Sequence, residues 1–159
     1  MGTSGATKSQ MGVGQVTAML ELRKSIEIAA RAETIFGALT DPDKITAYFP
    51  VDSVHLEPRR AGVIELKGEI EGRPFTDHGV VKEFDRPTRF AYEYWSTNHG
   101  TERPNANHMT IDYRIESDGH DSCFLYLHHV NLLTLNRVQE MDGVWDFLLA
   151  SFKQFVENE

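Results

Sequence analysis

Residues 134–158 read TLNRVQEMDGVWDFLLASFKQFVEN. Val138, Met141, Trp145, Leu148, Phe152 and Phe155 recur here at spacings of 3, 4, 3, 4 and 3. That rhythm puts six large apolar side chains on one face of an amphipathic helix. Such a helix is about 37 Å long at 1.5 Å per residue. It cannot stand alone in water with that face exposed, so the rest of the chain must supply a surface to receive it.

The preceding sequence is built as strands and turns. Val63 to Ile70 alternates, with Ile64, Leu66 and Ile70 on one face and Glu65, Lys67 and Glu69 on the other. Glu71-Gly72 is a hairpin turn leading into a strand from Phe75 to Phe84. Asp85-Arg86-Pro87-Thr88 turns the chain into a strand from Phe90 to Trp95. A polar loop follows at 97–106. His108 to Glu116 places Met109, Ile111, Tyr113 and Ile115 on one face, and Cys123 to Val130 is the last strand. A short strand, Val54 to Glu57, opens the series, and regular hairpin spacing predicts an antiparallel meander. Upstream, Leu22 to Ile28 is a strand, and Ala29 to Leu39 is a helix carrying Ile35, Phe36 and Leu39 on one stripe. Asp41 is a good N-cap and Pro42 a tolerated first residue for a second short helix, ending near Tyr48-Phe49-Pro50.

The chain of 159 residues has room for one domain, with 40% hydrophobic and 25% charged residues. Residues 1–20 are rich in Gly, Ser, Thr and Gln and are expected to be a flexible leader, with Met11 or Met19 as another start. Residues 21–159 read as the domain, without internal repeat or second linker. Lys and Arg number 16 against 24 Asp and Glu, a net charge of −8. That balance argues against nucleic-acid binding and against a basic membrane-surface role. No apolar run reaches the length of a membrane span. The single cysteine, Cys123, fits a reducing compartment, and a cytoplasmic location is expected.

Strand, two short helices, about six strands and a long helix is an order that resembles the START-like, or SRPBCC, superfamily with its helix-grip fold. Within it, the chain is similar to homologues of the activator of heat-shock-protein-90 ATPase. The resemblance runs from about Leu22 to Val156. Ala32-Glu33-Thr34-Ile35-Phe36 and Leu39-Thr40-Asp41-Pro42 resemble the first helix of that family and its end. Tyr48-Phe49 stands where the family usually has Trp-Phe. Gly79 to Pro87 and Arg89-Phe90-Ala91-Tyr92 resemble a Gly-x-Val-x-Glu-x-Asp-x-Pro segment and the aromatic strand after it. Gly143 and Trp145 resemble a Gly-Trp pair at the start of the last helix, here separated by Val144. The resemblance implies an α+β helix-grip fold: a curved antiparallel sheet around a long C-terminal helix. It also implies relatives that bind apolar ligands, relatives that cyclise or dehydrate polyketides, and chaperone activators that carry this domain beside a second one.

A curved sheet and a straight helix cannot match along their whole length, which leaves space between them. Phe90, Tyr92 and Tyr94 share one strand face, and tyrosines on an inward face supply apolar area with a hydroxyl. Tyr113 belongs to the same wall, with Trp145, Leu148 and Phe152 on the helix side. Gly143 is expected to allow close approach of helix to sheet. Of the adjacent His128 and His129, one faces inward and one outward. Periodicity leaves open which, and His128 is taken as the site residue. The expected ligand-binding set is Tyr92, Tyr94, Tyr113, His128, Trp145, Leu148 and Phe152.

Other chemistries find little support. The seven histidines show no metal-ligand spacing, so neither metal nor cofactor is expected. No serine sits in a Gly-x-Ser-x-Gly elbow, and no phosphate loop appears. The strand carboxylates Asp77, Glu83 and Asp112 are assigned mostly to the solvent face by alternation. The leading expectation is binding of a small apolar or aromatic ligand between sheet and helix. The alternatives are a cyclase- or dehydratase-like enzyme using His128 or His129 with a tyrosine, and a chaperone-related interaction module. Self-association as a homodimer stays open.

Overall fold

A computed structural model describes residues 20–97 and 108–159. The expected leader and the polar loop, apart from Leu20 and Thr97, lie outside the described residues. The elements run β1 (Glu21–Ile28), α1 (Ala32–Thr40), α2 (Pro42–Tyr48), β2 (Ser53–Leu56), β3 (Val63–Ile70), β4 (Arg73–Asp85), β5 (Arg89–Ser96), β6 (Met109–Ser117), β7 (Cys123–Val130) and α3 (Leu135–Glu157). The seven strands form one antiparallel sheet in the order β1-β7-β6-β5-β4-β3-β2. The first strand thus closes on the last, and the meander fills the rest. The curved sheet holds α3 on its concave face, which is the helix-grip arrangement.

Local chemistry explains the boundaries. Ala29–Arg31 do not join α1 as expected. The Ala29 amide donates instead to Glu157 Oε2 at 2.7 Å, and the Ala30 amide donates to the Ile28 carbonyl. Asp41 caps α2 by accepting from the Asp43 amide at 3.0 Å, with Pro42 in the first turn. Thr134 caps α3 by accepting from the Arg137 amide. At the β3–β4 hairpin Glu71 and Gly72 have φ of 53° and 80°, the left-handed pair that a two-residue turn requires. In β4 the register shifts between Val81 and Glu83. This bulge lets both Val81 and Phe84 point inward although their numbers differ in parity.

The helix α3 buries Trp145, Leu148, Leu149, Phe152 and Val156, while Val138, Met141 and Phe155 stay half-buried. The buried stripe drifts from the expected positions because 3.6 residues per turn does not divide evenly into the 3-4 spacing. Its C-terminal end is held to β1. Lys153 Nζ donates to the Glu27 carbonyl at 2.7 Å, and Lys24 pairs with Asp142 and Asp146 further up the helix. Gly143 does not serve close approach: it is exposed, and a Cβ there would meet nothing within 4 Å. The helix buries its apolar side chains fully only from Trp145 onward.

Candidate functional site

Between the N-terminal half of α3 and strands β4 to β7 lies a cavity of about 450 Å³. Phe49, Phe75, Tyr92, Met109, Ile111, Trp145 and Leu148 give it apolar walls. Ile70, Val144 and Glu140 stand exposed at its rim. A larger but shallow groove of about 760 Å³ runs between α2 and the C-terminal half of α3, with Phe147 standing in it. The inner cavity is the candidate site because it combines apolar walls with inward polar groups.

Those polar groups come from alternation on three strands. On β7, Cys123, Leu125, Leu127 and His129 point inward, and Phe124, Tyr126 and His128 point outward. His128 is therefore corrected as a site residue. Its Nε2 lies 2.7 Å from Glu21 Oε1 on the outer face, whereas His129 is 0% exposed. The Trp145 indole Nε1–H donates to His129 Nδ1 at 2.9 Å. An indole nitrogen only donates, so Nδ1 accepts and the proton of the neutral ring sits on Nε2. Nε2 in turn lies 3.0 Å from the Tyr94 hydroxyl, which is directed toward Met109 Sδ at 3.9 Å. One direction of donation thus runs from helix to sheet: Trp145 to His129 to Tyr94 to Met109.

Tyr94 can sit there because Gly79 opposes it on β4. A Cβ at Gly79 would come within 2.4 Å of the Glu93 carbonyl oxygen and 3.1 Å of Tyr94 Cβ. Burial holds the hydroxyls of Tyr92, Tyr94 and Tyr113 above the ordinary phenol range, so they remain protonated donors near neutral pH.

The three strand carboxylates separate. Glu83 accepts from Arg60 Nη2 at 2.9 and 3.1 Å, and Asp112 takes a two-pronged contact from Arg89 at 3.2 and 2.9 Å. Both lie on the side of the sheet away from the cavity. Asp77 is the exception to the mostly solvent-facing expectation: it lines the cavity, paired across the strands with Leu66 on β3 and Ser96 on β5. It shares the parity of Phe75 and Val81, the signal that could have found it. Its Oδ1 is buried with no hydrogen-bond partner among the described residues. Burial pushes this carboxyl up to about 6, against an opposing hydrogen bond from Ser96.

Of the expected set, the cavity brings together Tyr92, Tyr94, Trp145 and Leu148. Tyr113 and Phe152 sit deeper, around a void of about 10 Å³ that they share with Leu39, Leu125 and Leu149. Trp145 stands between the two spaces, with Tyr113 edge-on to it at 6.1 Å. Asp77, Ser96 and Arg137 were not foreseen as wall residues. Among the described residues no helix is long and apolar enough to cross a membrane.

A family model described as Activator of Hsp90 ATPase homolog 1-like protein matches residues 29–157. No curated protein matches the chain significantly. Among solved structures, a protein from Cytophaga hutchinsonii has a TM-score of 0.73 at 21% identity, covering 91% of this chain and 97% of the other. The Aha1 dimer from Colwellia psychrerythraea has a TM-score of 0.69 at 18% identity, covering 87% and 96%. CalU16 from Micromonospora echinospora has a TM-score of 0.63 at 18% identity, covering 89% and 87%. At these identities the likeness speaks for the fold.

Proposed function

We propose, for a chain that belongs to the activator of Hsp90 ATPase homolog 1-like family, that the inner cavity binds one small apolar or aromatic molecule. The observation that carries this reading is the cavity itself. About 450 Å³ is walled by aromatic and aliphatic side chains, with Asp77, Ser96, Tyr94 and His129 brought to its wall. That volume lies within the roughly 300–1,000 Å³ of small-molecule sites. Few polar groups among many apolar ones is the composition that gives affinity by burial and orientation by hydrogen bonding.

Native mass spectrometry of the purified chain, followed by solvent extraction, tests the reading. A small molecule released at one per chain is the expected result. Failing that, apolar probes should raise the melting temperature, because a ligand at about 100 times its Kd adds roughly 2.7 kcal/mol. An empty chain whose melting temperature no probe moves speaks against the cavity as a binding site.

One observation favours a second reading, acid–base catalysis on a bound apolar substrate. Asp77, pushed up to about 6, is poised to hold or release a proton near neutral pH, beside the His129–Tyr94 pair. Turnover that Asp77→Asn abolishes while binding persists would favour the enzyme, and binding without turnover favours the carrier. A chaperone partner rests on kinship alone.

A further inference from the structure

Among the described residues, the wall of the inner cavity carries a carboxylate that is incompletely satisfied. Tyr94 and His129 are engaged with each other and with Trp145 and Met109. Glu83 and Asp112 are engaged with arginines on the other side of the sheet. Asp77 receives a bond from Ser96, and among the described residues its buried Oδ1 has no partner. A buried acceptor left unmade costs the full desolvation of that group, more when it is charged. The terminal torsion of an aspartate is broad, so rotation about it can present a carboxylate oxygen to the cavity.

We propose that Asp77 is the polar anchor of the cavity, and that the ligand is an apolar ring system bearing a hydrogen-bond donor, a hydroxyl or an amine, directed at its carboxylate. This rests on the cavity being the binding site, and it names the chemistry that the ligand must carry. The apolar body lies against Tyr92, Ile111 and Trp145, and the donor reaches toward β4. A ligand with a carboxylate or an ether at that position leaves Asp77 facing a like charge or a group that cannot donate.

The test is a matched pair of probes, 2-naphthol and 2-methoxynaphthalene, titrated calorimetrically into the full chain at pH 7.5. Burial of the extra methyl alone would favour the ether about fourfold. A donor bonded to a charged acceptor reverses that order, and naphthol should bind about tenfold more tightly. In Asp77→Val the preference should return to the ether. If that variant does not fold, the probe pair on the unaltered chain decides alone, and Asp77→Asn should shrink the preference about threefold. Equal binding of both probes, or tighter binding of the ether, to the unaltered chain overturns the anchor and leaves the cavity reading intact. Binding of neither overturns both.

Discussion

The two ends of the space beneath α3 are built from the same kinds of residue and do different things. At the deep end Leu39, Tyr113, Leu125, Leu149 and Phe152 close to a void of about 10 Å³. At the other end Phe49, Phe75, Tyr92, Ile111 and Leu148 stand around about 450 Å³. Composition does not separate them. What separates them is the volume left open between helix and sheet, and the polar residues follow that space. Asp77 and Ser96 lie at the open end, while the deep end is sealed by carbon and by Tyr48, whose hydroxyl donates to the Ala38 carbonyl at 2.9 Å. The closed end secures the helix, so that the open end can keep a costly buried carboxylate.

Breaking the closed end should have the largest effect. Phe152, 2% exposed, has Tyr48 edge-on at 4.8 Å. Phe152→Ala should cost about 3–5 kcal/mol in urea unfolding, since the lost transfer energy and the cavity left behind add. A loss below about 1 kcal/mol would mean that this end is not the anchor of the helix.

The open end should respond with the opposite sign. Burial pushes the Asp77 carboxyl up to about 6 in the folded chain, against 3.8 for a free aspartate. The native state therefore binds more protons than the unfolded state between those values, and stability falls as pH rises through that window. The shift corresponds to roughly 3 kcal/mol at most, and solvent near the cavity reduces it. Asp77→Asn removes the charge, so the variant should be about 1–2 kcal/mol more stable at pH 7.5 and no more stable at pH 4. Unfolding measured at both pH values checks the crossing. A variant less stable at pH 7.5 would show that the charge is satisfied.

Smaller changes sharpen the contrast. Gly143 is exposed in the helical stretch above the cavity, and a Cβ there touches nothing. Gly143→Ala should add up to about 1 kcal/mol by helix propensity. It should leave probe affinity unchanged, as calorimetry would show. His128→Gln should move stability by less than about 0.5 kcal/mol and probe binding not at all, because its side chain meets Glu21 on the outer face. The same change at His129 should disturb both.

Much of this was legible in the sequence because single-faced patterns leave no choice. The aromatic spacing of α3, the alternation of β3 and β6 and the Asp41-Pro42 break each allow one reading, and the structure follows them. The family resemblance pointed to the same fold. β7 was ambiguous because both of its faces are apolar: Phe124 and Tyr126 on one, Leu125 and Leu127 on the other. Only pairing with β1 and the position of Trp145 single out His129. Asp77 was harder to place: alternation sends most strand carboxylates to solvent, while its own parity with Phe75 and Val81 points inward. The cavity leaves no periodic trace, since it depends on a stand-off between helix and sheet that composition does not encode.

The most direct test is a titration of isotopically labelled protein with 2-naphthol, followed by amide and indole resonances. A ligand in the open end should shift the Trp145 indole N–H and the amides of Tyr92, Tyr94 and Asp77, with little change at Leu125, Leu149 and Phe152. Shifts confined to the outer groove at Ala47 and Phe147, or absent throughout, would contradict a binding site beneath the N-terminal half of α3.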